Sequence, residues 1–96
     1  MGKYLLSPAA QASLTGIRTY TLNNHGKSQT ATYLKKLRDK MLFLADNPEQ
    51  GAARDELKTG YYSAFIEHHT IYYKILPTHI AIIDVLHQRM DPKRLF

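Results

Sequence analysis

Between Tyr61 and Leu86 the chain holds three successive runs rich in β-branched and aromatic residues, and the third reads as the centre of a sheet. Along residues 79–86 apolar side chains fill both alternating faces, Asp84 excepted. A strand that is apolar on both sides is normally a central strand, covered above and below. The preceding runs, 61–67 and 69–76, have the same character, and Pro77-Thr78 supplies a tight turn between the last two. Three strands joined this closely form a mainly antiparallel sheet. Its apolar surface requires helices on one face and other cover, such as a partner, on part of the second.

The upstream half supplies the helices. Lys3 to Leu6 is a short strand candidate, and Ser7-Pro8 then starts a helix by two means. The serine hydroxyl accepts from a free first-turn amide, and proline at the first helical position gives up a donor that had no partner. Ala10, Leu14, Ile17 and Thr21 recur at the spacing of one helix face, and Asn23-Asn24-His25-Gly26 ends the run, with Gly26 suited to a left-handed C-cap. Ser28 is a candidate cap for a second helix. Ala31, Leu34, Leu37, Met41 and Leu44 form its apolar stripe, and Asn47-Pro48 closes it. Gly51 and Gly60 bracket a charged turn. The expected order is β-α-α-β-β-β: an α+β fold with a helical hairpin on the sheet, in one domain spanning 1–96.

Composition narrows the class. Apolar residues at 44% and charged residues at 22% suit a folded chain rather than a disordered one. No cysteine is present, so neither disulfides nor thiolate zinc sites hold the fold. Residues 1–25 lack the apolar core of a signal peptide, and no stretch approaches the ~20 apolar residues of a membrane span. Leu6 stands where a myristoylation signal wants Ser or Thr. The expectation is a soluble, cytoplasmic protein without a cofactor.

The formal charge of +5 is concentrated. Lys27, Lys35, Lys36, Arg38 and Lys40 face only Asp39 and Asp46 across residues 26–46, and Arg89, Lys93 and Arg94 face only Asp91 in the tail. Such surfaces suit an anionic partner, nucleic acid or an acidic protein segment, although a solvated helix face and a soluble tail look the same in sequence. His68-His69 invites a metal reading, with His79 or His87 as further ligands. Neighbouring strand residues point to opposite faces, so two adjacent ligands rarely converge. Tyr61, Tyr62, Tyr72 and Tyr73 fit both core packing and partner anchoring, one of each pair facing in and one out.

The chain from Tyr4 to Asp91 resembles the ParE branch of the RelE/ParE toxins. The matching pieces, in order, are Ser7-Pro8-Ala9-Ala10, Tyr20-Thr21, and Gly26 with Gln29 and Ala31. Asn47-Pro48-Glu49-Gln50-Gly51, the run Arg54 to Gly60, Val85-Leu86-His87 and Met90-Asp91 complete them. Each piece is weak alone; their order and spacing carry the resemblance. Two departures stand out, because the family often has arginine where this chain has Ala52 and Tyr62.

The resemblance implies the toxin of a type II toxin–antitoxin system, acting by binding rather than turnover. It implies that DNA gyrase is the target, held in its cleaved-DNA complex, and that a ParD-like antitoxin neutralises the toxin. DNA would then be met only through gyrase or the antitoxin. Candidate target contacts are Arg54, Lys58, His87, Arg89, Lys93 and Arg94; candidate antitoxin contacts are Tyr62, Tyr72, Leu34 and Leu37. The enzymatic alternative is the RelE type, a ribosome-dependent messenger endoribonuclease, with Arg54, Lys58, Lys74, His87 and Arg89 as the possible set. The loss of two arginines also fits a non-toxic module that only binds antitoxin.

Overall fold

The computed structural model describes residues 2–95, and the side chains of all of them but Arg94 and Leu95. Strand β1 (Tyr4–Leu6) leads into the helical segment α1 (Pro8–Asp46), followed by a 3-10 turn at Pro48–Gln50. Strands β2 (Ala52–Ala53), β3 (Tyr61–Ile66), β4 (His69–Ile75) and β5 (Ile80–His87) complete the sheet, and a second 3-10 turn covers Pro92–Leu95. The spatial order is β1-β5-β4-β3-β2. β1 pairs parallel with β5, and the other three pairings are antiparallel. The α+β architecture is the expected one. It gains a fifth strand, β2, where the sequence shows only a charged loop. The strand reading of 79–86 holds as well, since β5 lies between β1 and β4.

The helix begins as its first residues dictate. Ser7 Oγ accepts from the Ala10 amide at 3.0 Å and donates to the Ile83 carbonyl at 2.6 Å, so the cap also ties the helix to β5. α1 then runs for 39 residues with one break, at Gly26 (φ 84°, ψ 175°). A straight helix of that length would reach ~58 Å at 1.5 Å per residue. The longest extent of the molecule is 37 Å, so the two arms of α1 fold back on each other at Gly26. Ser28 sits inside the second arm instead of capping it, and its carbonyl accepts from the Thr32 hydroxyl.

Both arms pack on one face of the sheet. Ala10, Leu37, Met41 and Leu44 meet Ile71, Tyr73, Ile80, Ile82 and Val85 in the core. Strand alternation puts Tyr62, Ala64 and Ile66 of β3 on this same side, since they pair with Tyr73, Ile71 and His69. Tyr61, Ser63 and Phe65 therefore face the other way, with Thr70, Tyr72 and Lys74 of β4. A register shift at Tyr72/Tyr73 leaves Ile83 unpaired on β5. Beside it the buried Asp84 accepts from the Ser13 hydroxyl, a second polar tie between helix and sheet. No helix among the described residues is long and apolar enough to cross a membrane.

Candidate functional site

The helix-free face is roofed by the turn between β2 and β3. Arg54 takes up the Tyr61 carbonyl through its amide, and its own carbonyl accepts from the amides of Leu57 and Lys58. Asp55 accepts from the Gly60 amide, closing the turn. Fixed in this way, the Arg54 side chain crosses the sheet. Its Nε donates to Glu56 at 2.7 Å, its Nη1 donates to Ser63 Oγ at 3.1 Å, and its guanidinium stands 5.9 Å from the centre of the Tyr72 ring. The Glu56 carboxylate holds the Arg54 pKa above its usual value. Lys58 Nζ lies 5.9 Å from the Tyr61 ring on the same face, and the residue is exposed.

A second cluster closes the other end of the sheet. Tyr33 on the second arm meets His69 Nδ1 at 2.6 Å, and its hydroxyl is 3.4 Å from the Ile66 carbonyl. The His87 ring stands edge-on to His69 with centroids 5.4 Å apart, and its Nδ1 accepts from the Arg89 amide at 3.1 Å. Burial, with His87 and His68 adding repulsion, lowers the His69 pKa to about 4. Burial likewise raises the Tyr33 hydroxyl. Sequence reading set His69 with His87 only as possible metal ligands and missed Tyr33, which lies far from both in the chain. The one local cue was that His69 and His87 both end or begin strands.

The His69 cluster makes stability depend on pH. The folded pKa lies below the unfolded value of 6.5, so the folded state resists the proton that the unfolded chain accepts. Its contribution is complete above about pH 6.5 and is lost as pH falls toward 4. For a half-buried ring, solvent screening limits the loss to about 2 kcal/mol. In urea unfolding, His69→Phe is expected to remove this part of the pH dependence. Equal slopes for both proteins between neutral pH and pH 4 would contradict the assignment.

The structure scatters the residues singled out from sequence. Arg54 and Lys58 share the helix-free face, whereas His87 belongs to the histidine cluster reached by the helices. Arg89 and Lys93 are exposed beyond β5, and the side chain of Arg94 lies outside the described residues. Tyr62 is half-buried, stacked on Tyr73 at 5.6 Å under the helices, whereas Tyr72 is 4% exposed on the opposite face beneath Arg54. Leu37 is 1% exposed in the core. Leu34 lines an apolar groove of about 400 Å³ together with Tyr4, Leu14, Ala31 and Arg38. Tyr72 thus offers no surface in the free chain, and Leu37 reaches that same groove only at its floor. Apolar groups that do offer surface include Leu5 and Phe65, 61% and 72% exposed. Among the described residues no three of His, Asp and Glu gather into a group able to hold a metal ion. Ala52 and Tyr62, which replace the arginines of the resemblance, fall together at one sheet edge, paired with Ser63 and Ala53.

Residues 4–92 match the family described as the ParE toxin of the type II toxin–antitoxin system parDE. The chain belongs to the ParE toxin family. Toxin ParE1 of Mycobacterium tuberculosis H37Rv is 41% identical to it over 93 residues, covering 96% of this chain and 95% of that one. Toxin ParE1 of Caulobacter vibrioides is 32% identical over 93 residues, covering 97% and 96%. Toxin ParE of Escherichia coli is 32% identical over 94 residues, covering 95% and 89%. A solved chain of the chromosomal ParDE system from P. aeruginosa shares the fold at a TM-score of 0.77, with 17% identity over 91% of this chain and 96% of its own. The chain is thus a ParE-family toxin of the type II toxin–antitoxin class.

Proposed function

We propose that this toxin arrests growth by binding DNA gyrase and holding it with its DNA cleaved, and that a ParD-like antitoxin neutralises it. Family membership sets the class, and the separation of His87 from the cations of the helix-free face favours binding over turnover. Cutting RNA requires a base, an acid and a cation within reach of one phosphate. Here Arg54 is engaged by Glu56 on one face while His87 lies in the cluster on the other. Arg54, Lys58 and Lys74 stand together on the helix-free face, and His87, the candidate base, stands apart from them on the other. The toxin supplies charge and shape, and strand cleavage belongs to gyrase.

The exposed cations Lys58, Arg89 and Lys93 are the proposed target contacts, with Arg94 as their neighbour in sequence. Arg54 has a positioning part in this reading, since its bonds to Glu56 and Ser63 fix the turn that carries Lys58. The antitoxin is proposed to meet the groove beside Leu34, where Lys35 and Arg38 supply a basic rim for an acidic segment. DNA is contacted only through gyrase or the antitoxin.

Removing residues 92–96 is expected to reduce toxicity while antitoxin binding survives. Full toxicity of the shortened chain in a growth assay would remove the tail from the target surface. Induced expression without antitoxin tests the wider reading. Growth arrest with accumulated breaks in chromosomal DNA is expected. Unaffected growth would point instead to a module that has lost its target, consistent with Ala52 and Tyr62.

A further inference from the structure

We propose that two copies of this chain can exchange their N-terminal units, residues 2–25, about Gly26, giving a swapped dimer in which α1 runs unbroken. The reversal between the arms of α1 is made by one residue. Gly26 has φ 84° and ψ 175°, a combination open to glycine and to few other residues, while the residues on both sides are helical. All residues from Asn23 to Gln29 are exposed, so no core packing holds the tip in place.

Everything before Gly26 is joined to the remainder by contacts that a second copy reproduces. β1 pairs with β5 over Tyr4–Leu6, the Ser7 amide donates to the Ile82 carbonyl, and its hydroxyl donates to Ile83. Ser13 donates to Asp84, and Ala10 is fully buried in the core. Exchange retains each of these contacts. It also lets Gly26 adopt helical angles, so that amides after it can reach carbonyls one turn earlier across the junction. A straightened α1 is ~58 Å long. That exceeds the 37 Å extent of the folded chain, so a straight arm cannot return to its own sheet and has to dock on a partner's. A one-residue hinge under conformational restriction is the arrangement that favours such exchange.

Gly26→Ala tests this directly, because alanine tolerates the helical angles and resists those of the reversal. After refolding of the full chain from denaturant, light scattering should show a dimer for the variant. The monomer–dimer midpoint should fall by on the order of tenfold for each relieved hinge. Native circular dichroism should be retained. The chain lacks cysteine, so single thiols can report the exchange. Leu5 and Ala81 are register partners, and Leu5 is exposed. Co-refolding Leu5→Cys/Gly26→Ala with Ala81→Cys/Gly26→Ala should give a heterodimer trapped by a short thiol crosslinker. A folded monomeric variant, a variant unfolded at every concentration, or a dimer that fails to crosslink this pair would each overturn the proposal.

Discussion

Gly51→Ala is expected to destabilise the fold by about 3 kcal/mol or more, with the thermal midpoint dropping by about 15 °C. The site shows why. The Gly51 amide donates to the Tyr73 hydroxyl at 3.0 Å, and that hydroxyl donates to the Pro48 carbonyl at 2.6 Å. A methyl group on Gly51 would run into the Tyr73 hydroxyl, come within 2.9 Å of its ring and within 3.0 Å of the Ser63 carbonyl. Tyr73 is fully buried and cannot swing aside, and the Ser63 carbonyl is backbone. The added carbon therefore forces the 3-10 turn at Pro48–Gln50 away from β3 and β4. Because the hydroxyl is the worst clash, Tyr73→Phe should recover part of the loss, so the double variant should be more stable than the two single effects summed. Strict additivity would show that Gly51 and Tyr73 are not coupled as the geometry requires.

Leu37→Ala and Leu34→Ala, three residues apart on one helix, should behave differently. Leu37 is 1% exposed at the centre of the core, and its truncation is expected to cost about 3 kcal/mol through lost burial and the cavity left behind. Leu34 is half-buried on the wall of the groove, so its truncation should cost about 1 kcal/mol and leave the fold intact. If the antitoxin occupies that groove, Leu34→Ala weakens its binding at a temperature where the variant is fully folded. Titration calorimetry beside a thermal melt separates the effects. Unchanged affinity for Leu34→Ala would move the antitoxin to another surface, with the exposed Phe65 and Leu5 as the next positions to alter.

Much of the architecture was legible in the sequence because its determinants are local. Ser7-Pro8 starts the helix by bonds formed within three residues, and Tyr61 to Leu86 declares its strands through composition alone. β2 was not legible. Ala52 and Ala53 are two exposed residues of poor strand propensity, extended only because Tyr62 and Ser63 pair with them. The faces of the tyrosines follow from register, which a single sequence does not give. Alternation alone leaves open which of Tyr72 and Tyr73 enters the core. The candidate site was the least legible part. The Arg54–Glu56–Ser63–Tyr72 arrangement and the Tyr33–His69–His87 cluster join residues from different elements, and no spacing in the chain announces them. Charge counting found Arg54 but did not show that its charge is already engaged.

The gyrase-poison reading is tested most directly by adding the purified toxin to gyrase and DNA, with coupled translation run in parallel. Accumulated cleaved DNA with translation intact is the expected result. Loss of translation with gyrase unaffected would contradict the reading, assign the toxin to messenger cleavage, and make His87 the first residue to replace.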